Sequence, residues 1–430
     1  MSRLVSALLI LLFGLSTYSQ STTEFEKDLD RLLEIMKKLP SFRDQVRGEK
    51  IIRFNQLVDS IRAEARFAKT DFEHFSLLSM LFHQVKDNHL GFYQVLNEYP
   101  DQSKFTDPVF IEKYKSGIAF KQFPSVSINI DSLEATLNRK PADSIEGIYR
   151  YGNLLTIGLY RTKNPSYLEG IVIASSLPHW EKGQLAARLF EYQPACFRAI
   201  YAEPVYKYFV LYANEKFKNH SLINSRFYSS AFGEIYKKKT AQKDFSLVDA
   251  SEAAFQFRKL NKSTQYIRLR HFSAQPERMA ESQRFYDEIK DSLNTRNLVV
   301  DLRNNTGGAY KVSNKFVKLI RGFAKNGNVY VLINNRTISQ GEIVSLQLKE
   351  IQNVKLLGQT TNGMLAYGSN YGKTETLPSQ KIKVYITDMR TKKIHLLYED
   401  KGIDPDITLH NNSDWLQQVM ALIEEGSEKK

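Results

Sequence analysis

The sequence predicts an α+β protein of several domains, because its hydrophobic pattern changes twice along the chain. Residues 22–95 repeat apolar side chains at helical spacing, whereas residues 146–214 form short aromatic and β-branched runs separated by turn residues. From residue 255 onward, strand and helix patterns alternate, as in an α/β core. At 430 residues the chain is also too long for one typical domain. We therefore expect an N-terminal helical bundle at 20–95, a β-rich middle domain with its connector at 96–250 and an α/β core at 251–425.

The N-terminus is typical of a targeting segment. Arg3 supplies a positive charge, Leu4–Leu15 is an apolar core, and smaller residues precede Gln20. The apolar run is too short to span a membrane comfortably, which favours a cleaved signal peptide at 1–19 over a permanent anchor. We therefore expect a periplasmic or secreted protein with a bacterial-type signal and no stable membrane insertion after cleavage.

The bulk composition excludes several classes of function. The formal net charge is +13, but Lys and Arg are scattered along the whole chain, so no nucleic-acid partner is expected. Cys196 is the only cysteine, which rules out an internal disulfide. No group of His, Cys, Asp and Glu has the spacing of metal ligands, so neither a metal nor another cofactor is expected. The sequence does not fix the oligomeric state.

The helical region is predicted to be a small bundle of three helices that ends in a histidine-bearing turn. Pro40 ends the first predicted helix. Thr70 and Glu73 form a capping box at the start of the third. That helix leads into Asp87-Asn88-His89-Leu90-Gly91, a tight polar turn.

The middle region falls into three parts with different patterns. Residues 96–145 show no regular period and are predicted to be irregular. The short strands of 146–214 predict an antiparallel meander or a small barrel. Residues 215–250 are basic and polar, which predicts a connector to the α/β core.

Two strand–turn–helix units of the α/β core carry the most informative residues. One strand leads into a turn with the paired glycines Gly307 and Gly308, and the next leads into Ser339 at the start of a helix. Such turns meet at the carboxyl edge of a parallel sheet. Acyl hydrolysis needs a nucleophile beside an oxyanion hole, and Ser339 with the N–H of Gly307 or Gly308 and that of Gln340 would supply both. Taken alone, Ser339 also fits an ordinary helix cap.

A serine nucleophile needs a general base, and three of the eight histidines are candidates. His89 lies in the tight turn after the helical region. His271 ends a predicted strand, and His395 lies within the predicted strand Ile394–Leu397. The residues alone leave the choice among the three open.

Four ordered motifs make residues 255–410 resemble the S41 peptidases, the tail-specific or C-terminal processing family. The Asp87-Asn88-His89 turn resembles the family's Asp-Gly-His and extends the likeness to the end of the helical region. The resemblance implies a ClpP/crotonase-like α/β core and serine endopeptidase activity on a peptide or unfolded-protein substrate. The four motifs are DLRNNTGG at 301–308, TISQGE at 337–342, GQTTNG at 358–363 and EDKGIDPDI at 399–407.

The resemblance also implies roles for individual residues. One branch of the family pairs its serine with a lysine at the position that Met364 occupies here, and methionine cannot accept a proton. The other branch resembles tricorn protease and uses serine, histidine and glutamate. This implies Ser339 as nucleophile, His89 as general base and Glu399 as the carboxylate that orients the imidazole.

Departures from the family pattern keep a second interpretation open. Asn88 stands where the family has glycine, and Gln340 and Gly341 stand where small residues are common. Residues 96–250 contain no recognisable PDZ segment. The alternative function is a non-catalytic ligand- or peptide-binding protein on the same fold. A third possibility is hydrolysis of a non-peptide acyl bond by the same machinery.

Overall fold

The computed structural model describes residues 23–227, 233–239, 244–370 and 372–428. The predicted signal peptide at 1–19 lies outside these residues. Within them, no helix combines the length and the apolar character that crossing a membrane requires. The described residues divide into two compact units. The first comprises the described parts of Met1–Ser225, Ile235–Lys239 and Ser369–Arg390, and the second those of Arg226–Glu234, Thr240–Gly368 and Thr391–Lys430.

Helices occur throughout both units. Short 3₁₀ helices cover Met80–Gln84, Gln102–Thr106 and Lys393–Leu397. The α-helices in chain order are α1 (23–38), α2 (Pro40–Gln45), α3 (Glu49–Ala65), α4 (Asp71–Ser79), α5 (Pro108–Ser116), α6 (Ile118–Lys121), α7 (Ile130–Leu137), α8 (Pro276–Ile289), α9 (Tyr310–Phe323), α10 (Gln340–Lys349) and α11 (Trp415–Glu428).

The strands belong mainly to one large sheet in each unit. In chain order they are β1 (Gly91–Gln94), β2 (Gly147–Tyr151), β3 (Leu155–Arg161), β4 (Tyr167–Ser175), β5 (Leu185–Gln193), β6 (Cys196–Ala202), β7 (Phe209–Lys218), β8 (Ser221–Leu222), β9 (Tyr236–Lys238), β10 (Phe255–Lys259), β11 (Thr264–Leu269), β12 (Asn297–Asp301), β13 (Asn328–Ile333), β14 (Val354–Gly358), β15 (Tyr367–Gly368), β16 (Thr374–Thr376), β17 (Ile382–Tyr385), β18 (Met389–Arg390) and β19 (Ile407–Thr408).

The N-terminal helices form where the apolar spacing predicts them. Helices α1, α3 and α4 each bury one apolar face, and the predicted capping box of Thr70 and Glu73 begins α4. The rings of Phe25 on α1 and His74 on α4 lie 5.0 Å apart. Pro40 starts the short helix α2 as well as ending α1, because its fixed φ suits the first turn of a helix.

The large sheet of the first unit is antiparallel and closes on itself. Its order is β16-β17-β1-β7-β6-β5-β4-β3-β2-β9-β8, and an additional pairing of β7 with β8 joins eight of the strands into a ring. The register shifts within the β3–β4, β4–β5, β5–β6 and β6–β7 pairs. Such bulges add the local twist and bend that closure requires. Of the two forms predicted for 146–214, the structure has the closed one.

The second unit is an α/β layer structure. Its sheet has the order β10-β11-β12-β13-β14-β19, with β10 antiparallel and the other neighbours parallel. Helices α8, α9 and α10 pack against one face of the sheet, and α11 packs against the other. Because β12 and β13 are parallel neighbours, the turns that follow Asp301 and Ile333 lie side by side at the same edge.

Three secondary-structure predictions were wrong. Residues 96–145, predicted to be irregular, contain α5, α6 and α7. Part of the predicted connector 215–250 forms β8, β9 and the end of β7, because strands of two or three residues show no readable alternation. The predicted strand Ile394–Leu397 is a 3₁₀ helix, since a short apolar run carries no period that separates the two.

Candidate active site

Ser339 occupies a strained turn between β13 and α10. Its backbone has φ 56° and ψ −123°, a conformation that costs a residue with a side chain of order 1–3 kcal/mol. The Ser339 N–H is 3.0 Å from the Met364 carbonyl oxygen and 3.0 Å from Glu342 Oε2. Serine nucleophiles of α/β hydrolases lie on strand-to-helix turns of this kind, where the strain holds the hydroxyl outward. Two acceptors on one N–H therefore hold the backbone in a conformation suited to presenting the side chain.

The glycine turn after β12 lies directly against the Ser339 turn. Gly307 has φ 75°, and a Cβ atom built on it would lie 2.7 Å from Ser339 Cβ. Only glycine allows so close an approach in this backbone conformation. The structure thus brings together the two turns that the sequence predicted to be neighbours.

The two glycines differ in what their N–H groups do. The Gly307 N–H donates to Asn305 Oδ1 at 2.8 Å. Gly308 pairs with Phe272 in a parallel bridge, in which the Phe272 N–H donates to the Gly307 carbonyl and the Ala309 N–H to the Phe272 carbonyl. In this pattern the N–H of Gly308 points away from Phe272. Of the two predicted donors, Gly308 is the better placed to bind another group.

Gln340 is the first residue of α10, so its N–H belongs to the first turn, where a helix has no internal acceptor. Its side chain is buried, and Nε2 donates to Ser313 Oγ on α9 at 3.0 Å. The amide is therefore fixed to a neighbouring helix. The next position, 341, is glycine, since a Cβ atom there would lie only 2.7 Å from Asn305 Oδ1.

Glu342 joins the Ser339 turn to the segment after β14. The carboxylate is fully buried and accepts four hydrogen bonds, from the Ser339, Gly363 and Met364 N–H groups and from Thr361 Oγ1, at 2.6–3.0 Å. Burial raises the pKa of Glu342, although these donors favour the ionised form. The side chain thus fixes the position of Ser339 relative to 361–364.

One peptide group links Ser339 to Glu399. The carbonyl of Met364 accepts from the Ser339 N–H at 3.0 Å, and the N–H of the same peptide group, that of Leu365, donates to Glu399 Oε2 at 2.8 Å. The Ala366 N–H donates to the same oxygen at 2.8 Å. The buried Glu399 carboxylate therefore lies no more than about 8 Å from the Ser339 nitrogen.

The turn that carries Glu399 is packed tightly on the segment before Met364. The Asp400 N–H donates to the Gly363 carbonyl at 2.9 Å. Gly402 has φ 85°, and a Cβ there would lie 2.2 Å from the Thr361 carbonyl oxygen. Ser339, the glycine turn, Gln340 and Glu399 are thus assembled within the second unit.

His89 belongs to the first unit, in the turn before β1. Asp87 is buried and shapes this turn, because its carboxylate accepts from the backbone of His89 and Leu90 and from Thr387 Oγ1 at 2.6 Å. Burial raises the pKa of Asp87 to about 6. His89 is partly exposed as a residue, but burial of its ring lowers its pKa to about 4, so the imidazole is neutral at pH 7.

The second unit contains the two other candidate histidines. His271 Nδ1 accepts from the Ser273 N–H at 3.4 Å, and its ring lies edge-on to Phe255. His395 is buried, with Nδ1 2.9 Å from Thr391 Oγ1, which in turn donates to the Leu365 carbonyl at 2.9 Å. Burial lowers the pKa of both histidines. His395 is therefore connected to the segment that holds Glu399.

Sequence reasoning missed three residues that organise the site. Glu342 was noted only as part of a motif, Asn305 only as part of the glycine turn, and Asp87 only as a neighbour of His89. An acid three residues after Ser339 was the available signal for Glu342, since that position of a capping box accepts backbone N–H groups.

The profile comparison covers part of this site. The profile of peptidase family S41 matches residues 263–324 and 309–409, which include Ser339 and Glu399 but not His89. Among curated proteins, none matches the sequence.

Several solved structures are similar to the chain at low identity. A putative peptidase from Parabacteroides merdae is 12% identical, covering 93% of this chain and 96% of that one, with a TM-score of 0.40. Tricorn protease is 15% identical, covering 93% of this chain and 37% of its own, with a TM-score of 0.40. Mature CPAF in complex with lactacystin is 9% identical, covering 95% of this chain and 100% of that one, with a TM-score of 0.42. Likeness at this level is too weak to assign a role to any residue.

The profile match indicates a serine-type peptidase, a hydrolase. Within that class, the part of the chain that matches the profile of peptidase family S41 runs from residue 263 to residue 409. The resemblance drawn from the four sequence motifs is thereby confirmed, and the enzyme is favoured over the non-catalytic binding protein.

Proposed function

We propose that the protein is a secreted serine endopeptidase in which Ser339 attacks the scissile carbonyl, His89 takes its proton and Glu399 orients the imidazole. The observation that carries this proposal is the Met364–Leu365 peptide group between Ser339 and Glu399. An imidazole that hydrogen-bonds at both nitrogens spans about 7–8 Å between its partners. The upper bound of about 8 Å between the Ser339 nitrogen and the Glu399 carboxylate is compatible with one imidazole between the two side chains.

His89 is the proposed base for two reasons. Its Asp-Asn-His turn resembles the family's Asp-Gly-His, and Asp87 fixes the backbone of that turn. A general base must be unprotonated before it can accept the serine proton, and the lowered pKa of His89 keeps it neutral at physiological pH. Met364 occupies the position at which the other branch of the family has its catalytic lysine. A thioether cannot accept the serine proton, which supports a histidine as the base.

The proposed oxyanion hole consists of the N–H groups of Gly308 and Gln340, with Gly307 providing the close approach to Ser339. The N-terminal end of α10 adds the positive end of a helix dipole where charge develops on the carbonyl oxygen. Each such donor is typically worth about 10²–10³-fold in rate. We include a ClpP/crotonase-like core in this proposal, supported by the parallel strands β11–β14 with helices on both faces.

The decisive experiment compares peptide hydrolysis by the wild type and Ser339→Ala, with a fluorogenic peptide mixture as substrate. We expect the wild type to cleave and the variant to lose all but about 10⁻³ of the rate or less. Equal rates in the two proteins would refute the proposal. A fluorophosphonate probe that labels the wild type but not Ser339→Ala would separate an enzyme from a binding protein.

The base is tested by a matched pair of substitutions. His89→Ala should lower kcat by about 10³-fold or more with little change in KM, as expected for a group that acts in the transition state. His395→Ala is the control, because His395 is the histidine tied to the Glu399 segment. Loss of activity in His395→Ala with none in His89→Ala would transfer the role of base to His395.

The cellular location is proposed from the leader alone. We propose that residues 1–19 are removed on export and that the mature enzyme acts on peptides or unfolded proteins outside the cytoplasm. N-terminal sequencing of protein from the periplasmic or culture fraction should begin near Gln20. An intact Met1 in the cytoplasmic fraction would contradict this.

A further inference from the structure

The described part of the second unit exposes four large apolar side chains, and three of them lie on segments next to Gly308 or Glu399. In its described part these are Tyr310, Ile394 and Leu397, exposed by 58%, 54% and 64%, and Met279, exposed by 36%. Single exposed apolar residues are ordinary on a protein surface, so exposure alone means little. Position is what distinguishes Tyr310 and the pair Ile394 and Leu397 from Met279.

Tyr310 follows the glycine turn. It comes two residues after Gly308 and begins α9, so its Cα lies within about 7 Å of that of Gly308. Its carbonyl accepts from Ser313 Oγ at 3.1 Å, and that hydroxyl accepts from Gln340 Nε2. The Tyr310 backbone is therefore linked through Ser313 to Gln340, whose N–H is a proposed oxyanion donor.

Ile394 and Leu397 precede Glu399 on the 3₁₀ helix Lys393–Leu397. Side chains three residues apart eclipse one another in a 3₁₀ helix, so the two form one apolar patch. Between them, His395 anchors the helix through Thr391 to the Leu365 carbonyl. The patch is thus fixed to the same segment that binds the Glu399 carboxylate.

We propose that Tyr310 on one side, and Ile394 with Leu397 on the other, bind apolar side chains of the peptide on opposite sides of the scissile bond. This inference rests on the proposed endopeptidase function. Tyr310 follows the glycine turn that contacts Ser339, and Ile394 and Leu397 precede Glu399, whose carboxylate accepts from the Leu365 N–H. The enzyme then selects cleavage sites that have an apolar residue on each side.

The test maps cleavage sites in a peptide library by mass spectrometry for the wild type, Tyr310→Ser, Leu397→Ser and the control Met279→Ser. We expect apolar enrichment on both sides of the wild-type sites. Each site variant should lose enrichment on one side only, with kcat/KM for apolar over polar substrates falling about tenfold. Tyr310→Phe should restore the wild-type pattern, since it keeps the ring.

A second readout separates failure of this inference from failure of the proposed function. Fluorophosphonate labelling of Ser339 does not need these side chains, so its rate should stay within about twofold of wild type in Tyr310→Ser and Leu397→Ser. Unchanged preferences in both variants, or an equal loss in Met279→Ser, would overturn the inference while leaving the peptidase intact. A wild type that cleaves nothing would overturn the proposed function itself, and the inference with it.

Discussion

Replacing Gly307 by alanine tests whether the glycine turn and the serine turn share one site. The new Cβ would lie 2.7 Å from Ser339 Cβ, 3.0 Å from the Gln340 nitrogen and 3.1 Å from the Ile338 carbonyl oxygen. Non-bonded carbon atoms rest about 3.5–4.0 Å apart, so Ser339 must move by about 1 Å. The left-handed backbone at φ 75° adds roughly 1–2 kcal/mol of strain to an alanine.

A shift of this size should be costly for catalysis. Misplacement of a reacting group by 1 Å can cost about 10²-fold in rate, so we expect kcat/KM to fall by about that factor, mostly through kcat. Peptide hydrolysis gives kcat and KM, and the rate of fluorophosphonate labelling reports on Ser339 without a bound peptide. A thermal unfolding curve checks that the variant is still folded.

Gly322→Ala is the matched control. Gly322 lies in α9, has open space where a Cβ would be, and should gain up to about 1 kcal/mol of stability in the helix. Its activity should equal that of the wild type. If a folded Gly307→Ala protein also had wild-type kcat/KM and labelling rate, the contact between the two turns would have no part in catalysis and the reasoning would be refuted.

Three further substitutions and conditions follow from the same contacts. Glu399→Gln keeps a carbonyl oxygen for the Leu365 and Ala366 N–H groups but loses the negative charge. We therefore expect kcat to fall by about 10²–10⁴-fold with little change in Tm. The control is the neighbouring substitution Asp400→Asn, which should keep wild-type kcat. Glu342→Gln turns an NH₂ group toward buried donors and should lower the free energy of unfolding in urea by about 1–3 kcal/mol or more; wild-type stability would contradict this. The pKa of His89 is lowered from 6.5 to about 4, so its neutral form persists below pH 6.5. The acid limb of the kcat/KM profile should therefore have its midpoint between pH 4 and pH 6.5. A midpoint above pH 6.5 would argue against His89 as the base.

The same lowered pKa makes a statement about stability. An unfolded chain protonates this histidine below pH 6.5, whereas the folded chain does so only near pH 4. The unfolded state therefore binds more protons in that window, and the contribution of His89 to stability is lost as the pH falls from 6.5 to 4.

The apposition of Gly307 and Ser339 was predictable because consecutive strands of an alternating pattern form a parallel sheet. The ends of β12 and β13 then meet at one edge of the sheet. Paired glycines indicate a turn whose backbone lies very close to a neighbouring group. No contact between the two turns had to be known in advance. Local pattern and a general rule of topology were sufficient.

The role of Glu342 was not predictable in the same way. In the sequence it fits a helix cap, whereas its partners Thr361, Gly363 and Met364 come about twenty residues later along the chain. Only the folded segment after β14 brings their donors to the carboxylate. Long-range hydrogen bonds of this kind leave no period and no fixed spacing in a sequence.

The buried asparagines illustrate the same limit. Asn304 and Asn335 each begin an Asn-x-Thr sequon, which on sequence grounds marks a surface loop. In the structure both are buried, and the Asn304 N–H donates to Asn334 Oδ1 at 3.0 Å. The side chains of Asn304 and Asn334 join the two turns, because Asn334 Nδ2 donates to Asn304 Oδ1 at 2.7 Å.

The central claim is that His89 activates Ser339, and peptide mapping of a fluorophosphonate adduct tests it most directly. The wild type and His89→Ala are treated with the probe under identical conditions, digested and sequenced by mass spectrometry. We predict a single adduct on Ser339 in the wild type, formed at least about 10²-fold more slowly in His89→Ala. An adduct on another residue, or equal labelling of Ser339 in the two proteins, would contradict the account.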